Sequence, residues 1–142
     1  MRGVERILVA VATITLCSCL APRNVEMVGV DMESWHKADS LVYDNSDTLS
    51  LRNLNIAIRY NDNLKRVVLP LKIGVTTPDA RHYADTVELQ LNHPITALAV
   101  ATTESLPYRT NVQLNQKGYY TFSFEPLEEL RGVEAIGIEI KN

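Results

Sequence analysis

From residue 25 onward the apolar side chains recur at every second position. That is the spacing of a strand with one face in a core, not the 3.6-residue spacing of an amphipathic helix. Residues 53–60 set Leu54, Ile56, Ile58 and Tyr60 on one face against Asn53, Asn55, Ala57 and Arg59. Residues 67–75 gather Leu69, Leu71, Ile73 and Val75, with Pro70 and Gly74 opposite, a pattern that predicts an edge strand or a bulge. Further strands follow over residues 85–91 (Val87, Leu89, Leu91 inward), 108–114 (Tyr108, Thr110, Val112, Leu114), 119–125 (Tyr120, Phe122, Phe124) and 133–140 (Ile136, Ile138, Ile140). Weaker patterns place strands over 25–32 and 40–43, and a short one over 48–51.

Turn chemistry separates these runs: Asn61-Asp62-Asn63, Pro78-Asp79, Asn92-His93-Pro94 and residues 115–118. Half-polar strands spaced by such turns predict an all-β fold, a single antiparallel β-sandwich of jelly-roll-like type. Residues 126–132 are the exception, because Pro126, the acids Glu128 and Glu129, and Gly132 carry the start and stop signals of one short helix before the last strand. The Ala-rich stretch 95–107 fits a helix, a strand or a long loop. Asp47-Thr48-Leu49-Ser50-Leu51 echoes Asp85-Thr86-Val87-Glu88-Leu89, which reads as shared turn chemistry: an Asp carboxylate accepting backbone N–H groups where a strand leaves a turn.

The N-terminus is of another kind. Residues 1–6 are basic, and 7–16 are an unbroken run of apolar residues and threonine. Ten such residues suit a signal-peptide core and fall far short of the roughly 20 that a spanning helix needs. Leu16-Cys17-Ser18-Cys19 then matches a bacterial lipobox, with a branched residue at −3, a small one at −1 and the cysteine that becomes the lipidated N-terminus. Cys17 is the poorer acceptor, since bulky Leu16 precedes it. The expected organisation is a signal peptide (1–18), a lipidated tether (19–24) and a β-sandwich domain (25–142). Acyl chains on Cys19, palmitate among them, would hold the domain to a membrane without a transmembrane helix. Leu20 at +2, by analogy with enteric sorting, favours the outer membrane, with the domain facing the periplasm.

Charge and cysteine usage narrow the function. The formal charge is −3, and loss of Arg2, Arg6 and Glu5 with the leader makes the remainder more acidic still, so nothing draws it to nucleic acid. The only cysteines are Cys17 and Cys19, so the folded part has no disulfide framework. His36, His82 and His93 stand apart beside turns, without metal-ligand spacing, and read as surface residues. Asp39, Asp44, Asn45 and Asp47 are an oxygen-rich run, but they lack the alternation and glycine of a calcium loop and read as a solvated turn. Trp35, Tyr60, Tyr83, Tyr108 and Tyr119 could include a sugar-stacking platform, although aromatics in such folds are mostly core. No nucleophile elbow, phosphate loop or dinucleotide fingerprint is present.

With these residues in view, the sequence resembles the gliding-motility lipoprotein GldH family of the Bacteroidetes. The likeness is carried by the lipobox, Val42-Tyr43-Asp44, Asp47-Thr48-Leu49, the run from Leu54 to Asn61, Asp85 to Leu89, Gly118 to Phe122, and above all Leu130 to Ile140. The chain departs from the family pattern over 97–103. The resemblance implies a membrane-anchored accessory of gliding and its associated protein-secretion machinery, with an envelope protein as partner and no catalytic residue. The expectation is therefore a structural or interaction lipoprotein with no enzymatic activity, cofactor or metal. A glycan-binding lipoprotein is the alternative.

Overall fold

A computed structural model of the protein describes residues 24–92 and 101–142. Within them the chain forms eight strands: β1 (Asn24–Gly29), β2 (Asp39–Asn45), β3 (Leu51–Tyr60), β4 (Val68–Thr76), β5 (His82–Gln90), β6 (Thr102–Gln113), β7 (Gly118–Pro126) and β8 (Val133–Lys141). They make two four-stranded antiparallel sheets, ordered β1-β8-β3-β6 and β2-β7-β4-β5. The inward faces of both sheets contribute to one apolar core. Ile56 and Ile58 of β3 with Ile136 and Ile138 of β8 come from the first, and Leu71 and Ile73 of β4 with Phe122 and Phe124 of β7 from the second.

The alternating pattern found most of these faces. Leu54, Ile56, Ile58 and Tyr60 are buried, as are Leu69, Leu71 and Ile73, and Tyr120, Phe122 and Phe124. The 108–114 face is different: Thr110 is exposed, because Asn111 takes a positive φ of 53° and the β3–β6 register shifts between Arg52 and Asn55. Two one-residue shifts cancel in parity, so Tyr108, Val112 and Leu114 keep the inward side and Thr110 alone is turned out. The ambiguous 95–107 stretch is partly settled, since residues 102–107 open β6, with Glu104 and Leu106 buried. Its residues 95–100 lie outside the described part, as do the expected signal peptide, the expected tether up to residue 23 and Cys19.

Three expectations need correction. The short helix before the last strand does not form. Residues 127–132 run as bends, and Leu130 makes a two-way backbone bridge with Trp35 (2.9 Å each way). Leu127 N donates to Pro70 O at 3.1 Å, and Gly132 N donates to Met32 O at 2.8 Å. A segment this short gains too few helical bonds to offset nucleation, and distant carbonyls supply better ones. Gly132 serves that route: its φ is +96°, and a Cβ there would stand 2.3 Å from the Leu64 nitrogen.

The second correction concerns β4, which lies inside its sheet between β7 and β5. Pro70 is tolerated there because its carbonyl side faces Leu127, beyond the last β4–β7 pair at Leu71 and Pro126, so its missing N–H costs no ladder bond. Third, residues 48–50 are a turn, and β3 begins at Leu51.

Candidate functional site

Antiparallel register sorts the connections to two ends. At the near end the chain joins β1 at Asn24, and there lie the 46–50, 77–81 and 114–117 turns and the end of β8. At the far end lie the 30–38, 61–67 and 127–132 connections.

The near end is built around a buried cation. Arg52 occupies an inward position of β3, two residues before Leu54, and is 4% exposed. Its guanidinium donates to the Tyr43 hydroxyl (3.0 Å), the Asp47 carbonyl (2.8 Å) and the Asn45 side-chain oxygen, while its Nε has no partner. Asn45 is itself fixed by donating to the carbonyls of Leu114 (2.9 Å) and Gln116 (2.8 Å). One charge thus links the 46–50 and 114–117 turns through neutral oxygens, which take the two terminal nitrogens of the guanidinium without a contacting carboxylate. Above it, the Asp47 carboxylate accepts from Leu49 N (3.1 Å) and Ser50 N (3.0 Å). Bonds from the Ser50 side chain and backbone, then Leu49 N and the Arg52 charge, bring its pKa down to about 2.

Beside this node, between the free edges β5 and β6, lies a cleft of about 550 Å³. Leu54, Ile73, Val112, Leu114 and Phe122 form its floor, and Tyr83, Tyr108, Arg81, Arg109, Asp85 and Gln116 its walls. Arg109 pairs with Asp85 across the two edges, and its guanidinium carbon lies 5.2 Å from the centroid of the Tyr108 ring. Burial holds the Tyr108 phenol above its ordinary pKa. The volume falls within the range that small-ligand pockets span, and the lining mixes apolar with a few polar groups.

A second buried polar pair closes the far end of the β5–β6 side. Tyr60 donates to Glu104 at 2.6 Å, and the other Glu104 oxygen accepts from Asn92 N at 3.0 Å. Burial first, then Glu104, raises the Tyr60 pKa.

The residues singled out in the sequence do not converge. His36 lies exposed at the far end beside Ser34, and His82 lies at the near end beside Thr76 (3.1 Å). His93 falls outside the described residues. Asp39 accepts the Trp35 indole N–H at 2.8 Å, Asp44 faces solvent, Asn45 holds Arg52 and Asp47 caps a turn, so the oxygen-rich run has separate tasks. Among the described residues no three His, Cys, Asp or Glu gather as a metal site. Trp35 and Tyr60 are core, Tyr119 stands 65% exposed on the outer side of β7, and Tyr83 and Tyr108 share the cleft. Arg52 and Glu104 were missed. Both sit at inward parity in their strands, next to Leu54 and Leu106, and a charged residue at such a position was the available signal.

Two comparisons bear on what this arrangement belongs to. Residues 25–140, nearly all of the described fold, match the family model described as GldH lipoprotein. A protein of Christiangramia forsetii called gliding motility lipoprotein GldH homolog is 26% identical over 159 aligned residues, covering 99% of this chain and 98% of that protein. With a family match over most of its length, the chain belongs to the GldH lipoprotein family.

Proposed function

We propose that this protein is a non-enzymatic interaction lipoprotein of the cell envelope, an accessory of gliding motility and its associated protein secretion. In this reading residues 1–18 are a signal peptide, and Cys19 carries the acyl chains, palmitate among them. Residues 19–24 tether a jelly-roll β-sandwich (25–142) to the outer membrane on its periplasmic side. The observation that carries it is the family match over 25–140, together with the lipobox that precedes it. The strand orders 1-8-3-6 and 2-7-4-5 are those of two nested Greek keys, which supports the jelly-roll assignment.

The experiment is complementation of a deletion strain. Replacing Cys19 with Ser should abolish fatty-acid labelling and the function the strain has lost, spreading or secretion in a gliding host. Replacing His36, His82 and His93 together with Gln should preserve that function. Loss of function in the anchored, folded triple variant would move an enzymatic reading ahead.

A second reading, a glycan-binding lipoprotein, is favoured by one observation, the pairing of Tyr83 and Tyr108 in a cleft with Arg109 and Asp85. Titration of periplasmic and extracellular glycans against the wild-type protein and Tyr108→Ala separates the two. Saturable binding that disappears in the variant supports the glycan reading, and no binding to either leaves the interaction reading in place.

A further inference from the structure

We infer that the near end of the domain lies on the bilayer that holds the anchor, with Leu49 and Leu51 seated in the lipid interface. The inference rests on the proposal that Cys19 is lipidated. Five residue steps separate Cys19 from Asn24, the first residue of β1. A chain spans at most about 3.6 Å per residue, so Asn24 stands within roughly 18 Å of the acylated cysteine. The strands it heads run 9 to 12 residues in β3, β4, β5, β6, β7 and β8. At about 3.3 Å per residue they reach roughly 30–40 Å, longer than the tether. Asn24 is at the near end, so the near end is the one the tether draws to the membrane.

That end presents apolar surface where a soluble turn has no use for it. Leu49, at the tip of the 46–50 turn, is 83% exposed, the most exposed large apolar side chain among the described residues. Leu51 is 59% exposed, and Tyr119 stands out from the start of β7 at the same end. A tyrosine with a greasy ring and a polar hydroxyl suits the headgroup level.

The turn that carries Leu49 is held from within. The Asp47 carboxylate takes the Leu49 and Ser50 amides, buried Arg52 takes the Asp47 carbonyl, and Gln113 donates to the Thr48 carbonyl at 2.9 Å. Burying a guanidinium to fix a turn, and then aiming a leucine from it into solvent, is unrewarding in water. Against lipid the same device presents a rigid apolar tooth, ordered before it inserts, so little entropy is lost on docking.

The test uses the full-length protein, purified with its lipid and reconstituted in vesicles of phosphatidylethanolamine and phosphatidylglycerol. Single cysteines replace Leu49, Leu51, Val67 or Leu127, all exposed positions whose substitution leaves the core untouched, and each carries an environment-sensitive fluorophore. Mass spectrometry of the N-terminal peptide first establishes acylation. Spin-labelled lipids should then quench the fluorophore at 49 and 51 about twofold or more over that at 67 and 127, since an interfacial group sits about 5–10 Å into the headgroup–acyl boundary. Equal quenching at all four positions of an acylated protein overturns the inference and leaves the anchor standing. A fluorophore at 49 that is shielded only at high protein density, and not quenched by lipid, overturns it in favour of a second copy. A peptide without acyl groups removes the anchor and the inference together.

Discussion

Two short connections, residues 46–50 at the near end and 127–132 at the far end, solve the same problem with opposite means. Each must satisfy its backbone groups while turning the chain between sheets. The 46–50 turn does so locally, with the carboxylate of its own Asp47 and with Arg52 two residues beyond its end. The 127–132 connection borrows its partners from afar: Pro70, Trp35 and Met32. The first is written mainly into adjacent residues, with Gln113 adding one distant bond to the Thr48 carbonyl. The second exists only when the rest of the molecule is assembled, and a reading of its local chemistry goes astray.

The comparison is broken most severely at Gly132. A Gly132→Ala variant must hold a positive φ and push its Cβ into the Asn63–Leu64 backbone. We expect a loss of about 3 kcal/mol or more, measured as a fall in urea midpoint at unchanged slope. Amide exchange should quicken at Leu130 and Gly132 and stay slow at Leu49 and Ser50. If the two turns loosen together, they are not independent.

Arg52→Met is the mirror experiment, with a smaller effect. It keeps the volume in the core but leaves the Asn45 side-chain oxygen and the Asp47 carbonyl without their buried donor. A cost of about 2 kcal/mol is expected. Here the exchange of Leu49 and Ser50 should quicken, and that of Leu130 and Gly132 should not.

The smallest effect is a pH dependence confined to the near end. The folded pKa of Asp47 lies at about 2, below the ordinary 3.8. A depressed carboxyl stabilises the fold fully above its unfolded pKa, and this contribution is lost as pH falls through the folded value. Between those limits the wild type should therefore lose stability relative to Asp47→Asn, and above pH 5 the difference should be flat. Asp79 and Glu134 are also depressed but are common to both proteins, so they cancel in the difference. A constant difference down to pH 2 would show that the carboxylate charge is irrelevant to the turn.

What could be read from the sequence follows the same division. β3, β7 and β8 were legible because inward Ile, Leu, Tyr and Phe alternate with polar residues, and one buried face fixes their register. The Asp47 turn was legible because its donors and acceptor are neighbours. Asp85, its apparent echo, sits within β5 and pairs with Arg109 instead, since an edge strand supplied a partner the local sequence does not show. The first half of β6 was obscured by Glu104, a buried carboxylate whose partner Tyr60 is 44 residues away. The cleft was beyond reach altogether. Its two tyrosines come from edge strands in different sheets, and no spacing in the sequence records that meeting.

Asn111 carries a consequence for behaviour at high local density. A row of evenly spaced, unpaired N–H and C=O groups along a sheet margin is a template on which another molecule can extend the sheet. At Asn111 the backbone turns to positive φ, its N–H is drawn inward to the Asn53 side chain at 3.1 Å, and the spacing of the β6 margin is broken. The same irregularity that turns Thr110 outward therefore interrupts β6 as a template for sheet extension.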